Sequence, residues 1–231
     1  MTAMPPPLAR AALFDLDGTL MDSAPDMAQA LNRLRAECDL PALPYADIRC
    51  EVSHGSVAVV RAGFPDAEDA QFEPLRQRFL TLYRACLGDQ PRIFDGFDEV
   101  LTALEAAGLP WGVVTNKPGW LTDPLLQAAG LASRAACVVA GDSLPERKPH
   151  PRPLLVAAGL LDVPPQYCLY VGDAQRDIDA ARAAGMTAVG ARFGYLRPTD
   201  TPEHWQAACW LDHPSELLPL LGLGSAVRAH G

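Results

Sequence analysis

"AALFDLDGTLMDSAP", residues 11–25, decides the fold. The apolar run from Ala11 leads directly into two carboxylates, Asp15 and Asp17, followed by Gly18 and Thr19. A run that is apolar on both faces suits a strand covered on both sides, as in a parallel sheet. Like charges at its end repel and are stable there only with cationic company.

Runs of the same kind recur as "WGVVTN" (111–116), "ACVVA" (136–140), "YCLYVG" (167–172) and "TAVG" (187–190). Helical periodicity fills the spaces between them. In "GFDEVLTALEAAG" the residues Phe97, Val100, Leu101 and Leu104 share one stripe and Gly108 supplies the stop. Strand and helix alternate, which predicts a doubly wound parallel α/β sheet of Rossmann-like form.

Residues 22–94 break this rhythm and contain no good strand. Met27, Leu31, Leu34 and Cys38 make one helical stripe behind Pro25, and Phe72, Leu75, Phe79, Leu82 and Cys86 make another. The expected organisation is a catalytic core of residues 1–21 and 95–231 with an all-helical domain, 22–94, inserted into it. Its connections near Asp22–Ala24 and Arg92–Gly96 would be hinges, and the insert would act as a lid.

With 231 residues, 49% of them hydrophobic, the chain can bury a full core. A net charge of −9 repels phosphate backbones and anionic lipid, which argues against nucleic-acid and membrane partners. No apolar run approaches the ~20 residues of a membrane span. The start, "MTAMPPPLAR", lacks a signal peptide's apolar segment, so the expected location is cytoplasmic. That start and the end, "GLGSAVRAHG", read as loose termini around a monomer or homodimer. The six cysteines form no C-x-x-C pair and most sit in apolar stretches, which predicts reduced core thiols without structural zinc or a disulfide framework.

Ligands of open α/β sheets bind beyond the carboxyl ends of the strands. Standing there are Asp15, Asp17, Gly18 and Thr19, then Thr115, Asn116 and Lys117, then Asp173 and Asp177, with Lys148 on a loop. Carboxylates so gathered call for a divalent cation, and hard oxygen ligands point to magnesium, held by Asp15, Asp173 and the backbone carbonyl of Asp17. Thr115, Asn116 and Lys148 are donors of the kind a phosphoryl group needs. The constellation reads as phosphoryl transfer, with Asp15 attacking phosphorus and Asp17 serving as general acid and base. Gly18 lets the loop turn close to the phosphate. Thr115 and Asn116 also suit the cap of a helix starting near Pro118.

"DLDGT" (15–19), "VVTNK" (113–117), "KPHP" (148–151) and "VGDAQRD" (171–177) resemble, in order and spacing, the four motifs of the haloacid dehalogenase superfamily of phosphatases, over residues 11–221. The resemblance implies a modified Rossmann core with a helical cap inserted after the first motif. It also implies Asp15 as nucleophile, Asp17 as acid/base, Thr115 and Lys148 as phosphate ligands, Asp173 as a magnesium ligand, and Asp177 orienting Lys148 or a metal-bound water. Asp17 disfavours dehalogenases and phosphonatases, families that lack an aspartate there. A sugar-phosphate mutase and a catalytically silent binding member are the alternatives, although none of the four motifs has decayed.

Within the superfamily the chain is similar to bacterial phosphoglycolate phosphatases. Residues 191–218 together with "WGVVTNKP" are similar to N-acetylmuramic acid 6-phosphate phosphatases. Either resemblance implies a small phosphate ester as substrate, selected by the cap. In "EVSHGSVAVVRAG" (51–63), His54 and Arg61 are the candidates for contacting a carboxylate or sugar hydroxyl. Trp205 and Trp210 read as packing residues.

Overall fold

In a computed structural model, residues 9–87 and 92–223 are described. The expectation of loose ends at 1–8 and 224–231 lies outside them. The elements run β1 (Ala11–Phe14), α1 (Ala24–Glu37), α2 (Tyr45–Arg49), α3 (Gly55–Gly63), α4 (Asp69–Cys86), α5 (Phe97–Ala106), β2 (Trp111–Val114), α6 (Gly119–Ala128) and β3 (Cys137–Val139). They continue with α7 (Arg152–Leu160), β4 (Cys168–Gly172), α8 (Gln175–Ala183), β5 (Thr187–Ala191), β6 (Cys209–Leu211) and α9 (Leu217–Leu220).

Among the described residues the strands form one six-stranded sheet in the order β3-β2-β1-β4-β5-β6, parallel throughout. Each strand is short and apolar, so alternate side chains feed two cores. Ala12 and Phe14 point toward α5 and α6, where Phe97, Leu101 and Leu125 meet them. Ala11 and Leu13 point the other way, toward Leu154 and Ala157 of α7 and Ile178 of α8. Phe14 is fixed by edge-on contacts with Phe97 at 5.3 Å and Trp111 at 6.3 Å. The strand order reverses across β1, leaving a crevice at the carboxyl ends of β1 and β4.

Between β1 and β2 the described residues are helical, with no strand. α1 packs on α4 through the stripe foreseen in each, and Leu31, Leu34, Phe79, Leu82 and Tyr83 are buried there. Glu68 and Gln71 form a reciprocal capping box at the start of α4.

The structure departs from the sequence reading in three places. The first is an additional strand, β6, at the sheet edge beside β5. The cysteines are less buried than expected: Cys137 and Cys168 are core residues, Cys50, Cys86 and Cys209 are half-buried, and Cys38 is exposed. All six are free thiols, as expected. Finally, the first N–H of α6, that of Gly119, donates to Asp142 Oδ1 at 2.8 Å, while Thr115 and Asn116 are engaged elsewhere. Trp205 and Trp210 pack on each other at 5.6 Å.

Candidate active site

β1 and β4 deliver the acids. Asp15 follows β1 directly, and its backbone N–H donates to the Val171 carbonyl at 2.9 Å, extending the pairing one residue beyond the strand. Asp173 follows β4 in the same way. Asp177, in the first turn of α8, lies at the same point, and one carboxylate oxygen from each of these three buried residues falls within 4.8 Å of the others. Gly18, at φ +82°, lies so close to Asp173 that a Cβ would stand 2.1 Å from the carboxylate oxygen. Only glycine fits that turn.

Lys148 supplies the counter-charge. Its Nζ lies 2.8 Å from Asp15 Oδ1, 2.8 Å from Asp177 Oδ1 and 2.7 Å from the Tyr170 hydroxyl, with the side chain 1% exposed. It also donates to the Val114 carbonyl at 2.9 Å, an acceptor that the Tyr170 hydroxyl shares at 2.8 Å, so its three protons face four acceptors. Burial pushes the Asp15 carboxyl above its ordinary value and Lys148 opposes that shift. Asp173 has no cation so close. Burial, with Asp177 and Asp15 nearby, pushes it up to about 7.

Asp17 belongs to a different cluster. Its carboxylate turns to Lys117 Nζ, at 2.9 and 3.2 Å, and accepts from Ser23 Oγ at 2.5 Å. Lys117 also donates to the Tyr83 hydroxyl of α4 at 2.7 Å. Burial pulls the Lys117 ammonium down, but Asp17 and Tyr83 outweigh it and hold the group above the ordinary lysine value. The two aspartates of the opening motif therefore face different ammonium groups.

The insert closes over this point. The cleft between insert and core has a volume of about 570 Å³ and is lined by Asp15, Asp17, His54, Arg76, Thr115 and Arg176 among others. Ser53 Oγ reaches Asp173 at 2.5 Å, and Arg176 donates to the Ser53 carbonyl. Arg49 reaches the Phe193 carbonyl at 3.1 Å, and Arg197 pairs with Glu51. Tyr195 steadies the chain entering the insert: its hydroxyl donates to Asp22 at 2.7 Å and accepts from the Ala24 N–H at 3.0 Å.

Asp15, Asp173, Asp177 and Lys148 thus meet as anticipated, Thr115 lines the cleft, and His54 faces it from the insert. Burial, followed by the charges of Arg197 and Arg176, lowers the His54 imidazole below its ordinary value. Asn116 also lines the cleft, and one expectation needs correction. Arg61 is not a lining residue: it bonds the Ala67 carbonyl at 2.7 Å and Asp69 at 3.0 Å and lies over the Phe72 ring at 4.0 Å, tying α3 to α4. The Asn116 amide is a staple, donating to the Lys148 carbonyl at 2.9 Å and accepting from its N–H at 3.0 Å.

Ser53, Tyr83, Tyr170, Arg176 and Tyr195 escaped the sequence reading. Arg176 and Ser53 stood inside quoted motifs beside residues that were chosen. The tyrosines, isolated among apolar neighbours, gave no signal.

The donor set suits a divalent cation. Asp173 Oδ1 is buried and meets no hydrogen-bond donor among the described residues, and every candidate ligand is an oxygen. A buried carboxylate oxygen without a donor is compatible with coordination to a cation.

The haloacid dehalogenase-like hydrolase profile matches residues 12–191, and the chain belongs to that family. It is 48% identical over 208 residues to a phosphoglycolate phosphatase of Xanthomonas campestris, covering 90% of this chain and 94% of that protein. It is 43% identical over 213 residues to an N-acetylmuramic acid 6-phosphate phosphatase of Pseudomonas aeruginosa, covering 92% and 94%. A solved structure from Haemophilus somnus, described as a phosphoglycolate phosphatase, aligns with a TM-score of 0.82 at 29% identity, covering 92% of this chain and 98% of that one. The chain is accordingly an enzyme, a phosphoric monoester hydrolase.

Proposed function

We propose that the protein hydrolyses a small sugar or carboxylic-acid phosphate through an aspartyl-phosphate on Asp15. The observation that carries this reading is the separation of the two aspartates: Asp15 bonded to Lys148 at 2.8 Å among the buried acids, Asp17 bonded to Lys117 at 2.9 Å on the insert side. Asp15 attacks phosphorus, and Asp17, facing the leaving group, protonates the departing oxygen and then accepts a proton from water. Lys148 and Thr115 hold the phosphoryl oxygens, and Asp177 fixes Lys148. Asn116 contributes by clamping the Lys148 loop.

Asp15, Asp173 and the Asp17 carbonyl would hold magnesium, which when bound offsets the carboxylate and phosphoryl charge. Residues 22–94 serve as a cap domain on the core of 1–21 and 95–231, hinged near Asp22–Ala24 and Arg92–Gly96. His54 faces the leaving group from the cap. Six free thiols suit a reducing cytoplasm.

The names of the relatives offer 2-phosphoglycolate and N-acetylmuramic acid 6-phosphate. A cleft of about 570 Å³ favours the larger ester. The test is phosphate release with magnesium across both esters and common sugar phosphates, for the wild type and Asp15→Asn. Turnover retained in the asparagine variant would refute the mechanism.

A further inference from the structure

The phosphoryl end of the cleft accounts for its buried charges, but two residues on the core side of its mouth have no role there. Trp120, in the first turn of α6, lines the cleft and is 48% exposed, an unusual amount of aromatic surface to leave in water. Its ring packs on no other aromatic ring among the described residues. Arg147 also lines the cleft and is exposed, with no carboxylate at ion-pairing distance among the described residues.

The other cleft arginines are committed. Arg76 is held by Glu73 through two contacts, at 2.9 and 2.8 Å. Arg176 is bound to Ser53 and lies 4.0 Å from Asp15. Arg147 is the cation left to meet a ligand. Its place is also fixed, because the neighbouring Lys148 backbone is stapled on both sides to Asn116, in the loop that leads to Trp120. One clamp therefore ties together the two segments from which the Trp120 and Arg147 side chains leave the backbone.

We infer that Trp120 and Arg147 form the leaving-group subsite, specific for a phosphorylated sugar that also carries a carboxylate. The indole covers the apolar C–H face of the ring, and the guanidinium takes the carboxylate through paired hydrogen bonds. This rests on the phosphatase reading and assigns the leaving-group side of the same site.

The test compares N-acetylmuramic acid 6-phosphate with N-acetylglucosamine 6-phosphate, which has the same ring and ester but lacks the lactyl ether that carries the carboxylate. The wild type should favour the muramic ester in kcat/KM, and Arg147→Ala should reduce that ratio by about 10- to 100-fold, mainly through KM. Arg147→Lys should recover part of it. In an Asp15→Asn background, adding the muramic ester should change tryptophan emission, and Trp120→Ala should abolish the change. A wild type without preference, an unchanged ratio in Arg147→Ala, or an emission change that survives Trp120→Ala would each overturn the subsite. A wild type that binds the muramic ester with the Trp120 signal but hydrolyses no ester would overturn the phosphatase reading and leave the subsite standing.

Discussion

Ser53 of the insert donates from Oγ to Asp173 Oδ2 of the core at 2.5 Å, joining the helical side of the cleft to its acidic cluster through one buried bond. The acceptor also takes the Tyr195 N–H at 2.8 Å, while its other oxygen is bare. Ser53→Ala therefore leaves a buried carboxylate with a single donor. Metal-free stability in urea should fall by about 1–3 kcal/mol. An unchanged midpoint would mean that the bond contributes nothing.

Lys148 separates two carboxylates that would otherwise face each other, Asp15 and Asp177, both at 2.8 Å from its Nζ. Lys148→Met removes the charge but keeps the volume. It should abolish phosphate release and destabilise the fold by about 3–5 kcal/mol in chelator. Denaturation with and without magnesium should show the deficit narrowing when the ion is present.

Asp17 is asked to act twice, as acid and then as base, and the two roles separate kinetically. A nitrophenolate leaves without protonation, so Asp17→Asn acting on p-nitrophenyl phosphate should release a burst of about one equivalent per enzyme before slow turnover. Alkyl phosphates should slow in the first step, by roughly 10²- to 10⁴-fold. Stopped-flow absorbance reads the burst, and its absence would assign the second step to another base.

Burial pushes the Cys137 and Cys168 thiols up to about 11, whereas Cys38 is exposed. A raised thiol value means less thiolate at pH 8, and burial blocks the reagent as well. Ellman titration of the native protein should modify Cys38 first and reach Cys137 and Cys168 only after unfolding. Peptide mapping identifies the modified sites.

The sequence made the sheet legible because each of its first five strands is an uninterrupted apolar run. β6 escaped because Cys209–Leu211 is an edge strand of three residues, half-exposed at two of them. Such a segment, though apolar, lacks the length of a central strand. The acids and Lys148 could be found because strand ends fix where they stand. Arg61 was misjudged because spacing places a Cα, while side-chain direction depends on neighbours elsewhere in the chain, here Phe72 beneath Arg61; the Asn116 clamp on the Lys148 backbone was invisible for the same reason. Ser53 was visible as a residue but not as a bond, since its partner lies 120 positions away.

The place of β1 in the middle of the sheet has a consequence for biosynthesis. Residues 11–14 emerge from the ribosome before either of their partners, which are 111–113 on one side and 168–171 on the other. The helices of the insert depend on closer neighbours, with α1 packing on α4, and have the more local route to structure. The nascent chain thus carries an unpaired apolar strand until β2 has been made, and the sheet closes on both sides of β1 only when β4 has followed. Until then that segment is the part of the molecule most exposed to aggregation, and the part a chaperone would shield.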